Sequence, residues 1–357
     1  MEKIGILTFH RASNYGAVLQ AYALQTAFEE LGAVAEIIDY RCKQVENAHN
    51  PLKFIQSHGL KSIFRLPGKI QRFKRFEQFR DKRLHLTDTA CNKNIKRIES
   101  DFSALVVGSD QLWNKRFSGS DVQFFLPYDL NIKKYTYAVS LGDSFDQDLL
   151  RSSISRYGTG FDTISLREKN YVDLISSWTK TPCRCDLDPV FLLSQKDWLK
   201  IATRPNMNNP YILVYSVAEP KNLIDSAKDY SRQTGYQLIY LNSSFTKNVD
   251  VKKIRYPTPE EYIGWFYDAE MIFTNSFHGT AFSILFNKPF FIEEESERGM
   301  NIRSLDLIKR FHLKIHSGMT GHNARLIEKQ NWLEVNESIR RLTDDSYKYL
   351  ASIIENK

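Results

Sequence analysis

The chain has 357 residues, 42% of them hydrophobic and 13% aromatic, enough to bury the cores of two ordinary domains. No stretch approaches the ~18 unbroken apolar residues of a membrane span. The net charge of +7 is local: between residues 51 and 86 ten Lys/Arg face only Glu77 and Asp81, so that segment carries +8 and the remainder −1, which argues against a nucleic-acid-binding protein as a whole.

Met1 to Leu7 enters a strand directly, which predicts no secretory leader. Cys42, Cys91, Cys183 and Cys185 have neither disulfide-dense nor zinc-like spacing, and they fit a reducing cytoplasm. Lys3 to Thr8 has strand length, Asn14-Tyr15-Gly16 falls in the loop after it, and the apolar spacing of Ala17 to Leu31 predicts a helix ended by Gly32. Further strands are expected at Ala35 to Tyr40, Ala104 to Val107, Tyr135 to Leu141 and Phe161 to Leu166. Within the basic segment, Phe73, Phe76 and Phe79 recur near helical spacing. That pattern describes either a helix docked by its phenylalanines or a cationic face lying on an anionic membrane.

Periodicity lapses from Ser194 to Asn209, where a linker is expected, and then restarts. Strands are predicted at Tyr211 to Val217, Tyr236 to Asn242, Met271 to Thr274 and Phe290 to Glu293, with helices at Lys221 to Thr234, Pro259 to Phe266 and Gly279 to Phe286. A closing helix runs from Trp332 to Ile354. Strands alternating with helices predict an α/β protein of two Rossmann-like domains facing a cleft, GT-B-like, with the C-terminal helix closing across them. The expected boundaries are 1–200 and 201–357.

The most informative stretch is Thr274-Asn275-Ser276-Phe277-His278-Gly279-Thr280. An apolar strand runs into a polar corner and then into an apolar helix. Such corners lie at the carboxyl ends of strands, where ligands bind in open α/β sheets. A helix starting at His278 or Gly279 would aim amides and its positive dipole end at an anion. His278 is then either a general acid or base, or merely a cap or a packed ring.

Five pieces together resemble the polysaccharide pyruvyl transferase family: residues 14–22 (NYGAVLQAY), 108–114 (GSDQLWN), 165–168 (SLRE), 188–190 (DPV) and 276–280 (SFHGT). They occur in family order and span nearly the whole chain. The resemblance implies a GT-B-like enzyme that transfers pyruvate from phosphoenolpyruvate to a sugar of a capsular or exopolysaccharide repeat, commonly as a cyclic ketal. The acceptor is expected to be linked to a polyprenyl diphosphate carrier. Such chemistry protonates an enol carbon, adds a hydroxyl, expels phosphate and closes with a second hydroxyl. It calls for guanidinium groups or helix amino ends around the donor and for an imidazole or carboxyl group to move protons. The reaction itself demands neither a metal nor another cofactor.

Carried over residue by residue, the resemblance makes His278 the general acid/base and Arg167 a catalytic, donor-holding arginine, unless Arg167 is instead a structural partner of Glu168 or Asp188. Ser276, His278, Gly279 and Thr280 form the donor corner, in the C-terminal domain. Some family members carry Arg where this chain has Ser276, so the missing charge must come from elsewhere. Arg303, expected in the loop from Arg298 to Asp306, and Lys288 are the candidates. Asn14, Tyr15, Gly16, Asp110, Gln111 and Asn114, in loops after two N-terminal strands, are assigned to the acceptor; for Asn14, Gly16 and Asp110 turn or cap chemistry is the competing reading. His10 is a further cleft candidate. The expected partners are phosphoenolpyruvate and a glycan acceptor, with peripheral contact to the inner membrane through residues 51–86 and no nucleic acid. The expected location is cytoplasmic.

Two other classes compete. A GT-B glycosyltransferase would need a carboxylate for a nucleotide ribose, which Glu293, Glu294 or Glu295 could imitate. A non-catalytic nucleic-acid or membrane binder is suggested by the basic segment alone, which lacks a reader motif.

Overall fold

The computed structural model describes residues 1–51, 53, 66–91, 94–99, 101–119, 121–127, 132–220, 222–241, 252–293, 302–314, 324–327 and 330–355. The chain forms two compact units, Met1–Leu192 with Arg341–Lys357, and Leu193–Arg340. The expected boundary at residue 200 therefore falls earlier, and residues 341–357 group with the first unit. The interval expected to be a linker contains a helix, Gln195–Ile201, closed by a capping box in which Ser194 and Asp197 satisfy each other's backbone N–H. A polar run had concealed that box.

In the first unit, strands β1 (Lys3–Leu7), β2 (Val34–Ile37), β3 (Ala104–Val107) and β4 (Lys133–Thr136) form a parallel sheet in the order β2-β1-β3-β4. Strands β5 (Ile164–Leu166) and β6 (Cys183–Cys185) pair in parallel, and β5 joins the β4 side through bridges such as Val139 to Leu166. Both faces of the sheet are buried, as parallel sheets require. Ile4, Ile6 and Val106 enter one core, while Leu7, Leu105 and Val107 enter the other. The helix Trp332–Glu355 contributes Tyr349, Leu350 and Ile353 to the first of these cores.

The helix Leu66–Arg83 docks by its phenylalanines: Phe76 packs on Tyr15 (centroids 4.9 Å apart) and Phe79 on Tyr22 (6.1 Å). Of the two readings of this stretch, the helix takes the first, and its apolar face is covered by protein. Residues 52 and 54–65 of the expected membrane-facing segment lie outside the described residues. Among the described residues no helix is long and apolar enough to cross a membrane.

In the second unit, β7 (Tyr211–Tyr215), β8 (Gln237–Leu241), β9 (Lys252–Ile254), β10 (Met271–Thr274), β11 (Phe290–Glu293) and β12 (Ala324–Ile327) lie in the order β12-β11-β10-β7-β8-β9. All pairings are parallel except that of the edge strand β12. Leu223 and Ala227 of the helix Leu223–Thr234 pack with Ile212, Val214, Met271 and Phe273. The strand order reverses at β1/β3 in the first unit and at β7/β10 in the second, and such switch points open crevices at the carboxyl ends of the strands.

Candidate functional site

The second unit's switch point is the corner between β10 and the helix Phe277–Leu285, which starts one residue before His278 and two before Gly279, the expected starts. Thr274 Oγ1 accepts from Ser276 N (3.0 Å), and Ser276 Oγ accepts from Gly279 N (3.3 Å) as the helix cap. Thr280 Oγ1 donates to Ser276 O (3.1 Å) and is fully buried. Gly279 is required by packing, because a Cβ there would sit 2.3 Å from Thr274 Oγ1. Ser276, Gly279 and Thr280 thus build the corner. Asn275, which the sequence left without a role, ties the two switch-point loops: its Oδ1 accepts from Val217 N (2.9 Å) and its Nδ2 donates to Ala218 O (3.2 Å).

His278 projects from the first turn, with its ring edge-on to Phe277 (5.0 Å between centroids). It keeps 8% of its surface exposed, whereas His10 keeps none. Arg303 lies on a helix, Ile302–Arg310, and not in the expected loop. Its guanidinium stands 5.4 Å from the centroid of the same Phe277 ring, so the imidazole and this cation share Phe277 as a neighbour. Lys288 is at the wrong end. The helix from the corner runs back along the sheet, ~13 Å for nine residues, and Lys288 precedes β11 beside the start of β10. It sits over Tyr267 (5.5 Å); burial lowers its pKa, and Glu270 and Asp268 oppose that shift.

In the first unit the row at the β1/β3 switch point is mostly committed to structure. Asn14 caps the helix Tyr15–Glu30 by accepting from Ala17 N (3.3 Å), so Tyr15 and Gly16 belong to the helix's first turn and are buried. His10 Nδ1 faces Thr8 O (3.2 Å) and Nε2 faces Asp39 Oδ1 (2.9 Å), which makes it an anchor of the loop. Asn114 Nδ2 donates to Leu141 O (2.8 Å) and Ser144 O (2.9 Å), while its Oδ1 caps the turn at Arg116 N (3.1 Å). Gln111 Oε1 accepts from Asn114 Nδ2 (3.4 Å).

Asp110 differs from its neighbours. It is half-buried, heads no helix, and has φ of +84°, a region that non-glycine residues enter only at some cost. Among the described residues its Oδ1 accepts from the next residue, Gln111 N (2.9 Å). An observed strained carboxylate at a switch point is the kind of outlier from which a functional role is inferred.

Arg167 is buried at 3% exposure, with Nη2 in an ion pair with Asp188 Oδ2 (2.8 Å) and donating to Ser109 Oγ (2.6 Å). The guanidinium expected to hold the donor is therefore engaged in a buried ion pair. It belongs to the first unit, whereas His278 and Arg303 belong to the second. Glu293, the ribose-binding candidate of the glycosyltransferase reading, accepts from Leu223 N (3.0 Å) and Asn222 N and so caps the helix Leu223–Thr234. Glu294 and Glu295 lie outside the described residues.

A family profile described as polysaccharide pyruvyl transferase matches residues 14–294, most of the chain. No curated protein matches the sequence. Among solved structures, the chain is similar to the S. aureus MnaA–UDP co-structure (TM-score 0.51, 13% identity, 99% of this chain and 91% of that one). It is also similar to the UDP-GlcNAc 2-epimerase from Neisseria meningitidis bound to UDP-GlcNAc (TM-score 0.51, 10% identity, 98% and 94%). At such identities the likeness speaks for the fold alone, which is α/β and GT-B-like.

Proposed function

Because the chain belongs to the polysaccharide pyruvyl transferase family, we propose that it transfers the pyruvyl group of phosphoenolpyruvate to two hydroxyls of a glycan sugar, forming a cyclic ketal and releasing phosphate. The observation that carries this reading is the corner after β10, where an imidazole sits in the first turn of a helix and Arg303 faces the neighbouring Phe277 ring. The helix amino end and Arg303 take the donor's carboxylate and phosphate. His278 delivers the proton to the enol methylene, a sugar hydroxyl adds at the neighbouring carbon, and phosphate departs as the second hydroxyl closes the ring. Asp110 receives an acceptor hydroxyl.

Ser276 caps its own helix, so the cation that some family members place at this position is supplied here by Arg303. Replacing Arg303 by Gln is expected to raise KM for phosphoenolpyruvate by about 10- to 100-fold, the worth of hydrogen bonds to a charged group. Steady-state phosphate release checks this, and an unchanged KM would remove Arg303 from the donor site. Asp110→Asn keeps a residue that tolerates the backbone but removes the charge. It is expected to lower kcat/KM for the acceptor by about 10-fold or more while leaving phosphoenolpyruvate binding intact; equal losses for both substrates would count against the acceptor role.

Thermal denaturation with phosphoenolpyruvate against UDP tests the donor class, since a ligand selective for the native state raises Tm. A rise with phosphoenolpyruvate that disappears in Arg303→Gln is expected. A rise with UDP alone would favour a nucleotide-sugar enzyme.

A further inference from the structure

The basic helix Leu66–Arg83 does more than dock. Arg72, Phe76 and Arg80 recur at four-residue spacing and share one face, turned toward the loop between β1 and the helix Tyr15–Glu30. Arg72 fastens that loop, donating from Nε (3.0 Å) and Nη2 (2.7 Å) to Ser13 O. Arg80 is 1% exposed, and its Nε, Nη1 and Nη2 make no hydrogen bond. Its ion pair is Glu77, one turn back, 3.8 Å away and 39% exposed.

Asp81, Glu46 and His49 also lie within electrostatic reach of Arg80, and several of the surrounding charges have partners of their own. Arg11 Nε holds Glu46 (3.1 Å), and Arg41 and His10 hold Asp39. Arg80 and Arg11 both stand around the Phe73 ring, 5.5 Å and 6.0 Å from its centroid. Burial, and then Arg11, push the Arg80 pKa down to about 10. A buried guanidinium without hydrogen bonds is costly, and proteins tolerate one where a counter-ion binds. The loop lies at the carboxyl end of β1, beside the amino end of a 16-residue helix, which favours anions.

We propose that Arg80 and Arg11, with the amino end of the helix Tyr15–Glu30, bind a phosphate-bearing group of the acceptor, a diphosphate carried either by a lipid or by a nucleoside. This rests on the assignment of the first unit to the acceptor. Two guanidinium groups and a helix amino end suit a multiply charged phosphate better than a single carboxylate.

The test is thermal denaturation of the full chain in phosphate-free buffer, titrated with inorganic pyrophosphate, farnesyl diphosphate or UDP. Wild type is expected to gain Tm with pyrophosphate. Arg80→Met is expected to lose at least about 10-fold in pyrophosphate affinity without a lower Tm in the absence of ligand, since it removes a buried charge that lacks hydrogen bonds. Its response to phosphoenolpyruvate should persist, so a failure of the donor assignment is read separately. An Arg80-dependent response larger for farnesyl diphosphate than for UDP assigns the lipid carrier, and the reverse assigns a nucleotide carrier. No pyrophosphate response in wild type, or an undiminished one in Arg80→Met, overturns the proposal. Should Arg80→Met not fold, Arg80→Lys decides, because it keeps the charge and loses the planar fork. Weakened pyrophosphate binding there supports the site, and unchanged binding overturns it.

Discussion

Replacing His278 by Gln is expected to reduce kcat for acceptor-dependent phosphate release by about 10²- to 10⁴-fold, the usual contribution of a positioned acid or base. The fold should survive. The imidazole packs edge-on to Phe277, and Thr274, Ser276, Asn275 and Gly279 hold the corner through hydrogen bonds that do not involve the imidazole. Stability should therefore change little, and the Tm rise with phosphoenolpyruvate should be retained, because Arg303 and the helix amino end remain. Loss of activity with donor binding intact separates proton transfer from binding. Full activity in the variant would end the assignment, and loss of both activity and folding would make His278 a packing residue.

Replacing Asp188 by Ala carries the largest expected cost in stability, about 3–5 kcal/mol, because it strands a buried guanidinium. Arg167 and Asp188 are 3% and 0% exposed, and Asp188 Oδ1 also accepts from Val190 N (3.0 Å) at the start of the following turn. Chemical denaturation followed by fluorescence should show the loss in the transition of the first unit. The double variant Arg167→Met/Asp188→Leu should recover much of it, since a matched apolar pair avoids the uncompensated charge. Arg167→Met alone should lose stability and keep its phosphoenolpyruvate response. The opposite pattern, stability kept and donor response lost, would return Arg167 to the donor site.

The parts of this molecule legible from sequence were those where pattern and physics coincide locally. β3 and β10 were bounded to the residue because short apolar runs end in polar corners. The position of His278 at a strand-to-helix corner followed from the same reasoning. What failed depended on direction and partners in space. Lys288 is ten residues from His278 along the chain, but the intervening helix carries it to the other end of the sheet. Tyr135 to Leu141 looked like one strand, yet regular pairing in β4 stops at Thr136, with only isolated bridges beyond, and Ala138 takes a positive φ. Arg167 carried the family motif, but whether its guanidinium faces a ligand or Asp188 is a tertiary fact. Arg80 gave no motif at all. Only its burial without hydrogen bonds singles it out among the described cations of its segment.

The packing of the helix Leu66–Arg83 limits how it can meet a membrane. Phe76 and Phe79 are buried against the first unit, so this helix can offer an anionic surface its Lys and Arg side chains but not the phenylalanine face.

The most direct measurement incubates the purified chain with phosphoenolpyruvate and a panel of glycan acceptors, free and carrier-linked, and follows phosphate together with product mass. Phosphate released in step with a glycan heavier by one pyruvate ketal, and abolished by His278→Gln, is the predicted result. Phosphoenolpyruvate left intact with every acceptor, while a nucleotide sugar is consumed, would contradict it.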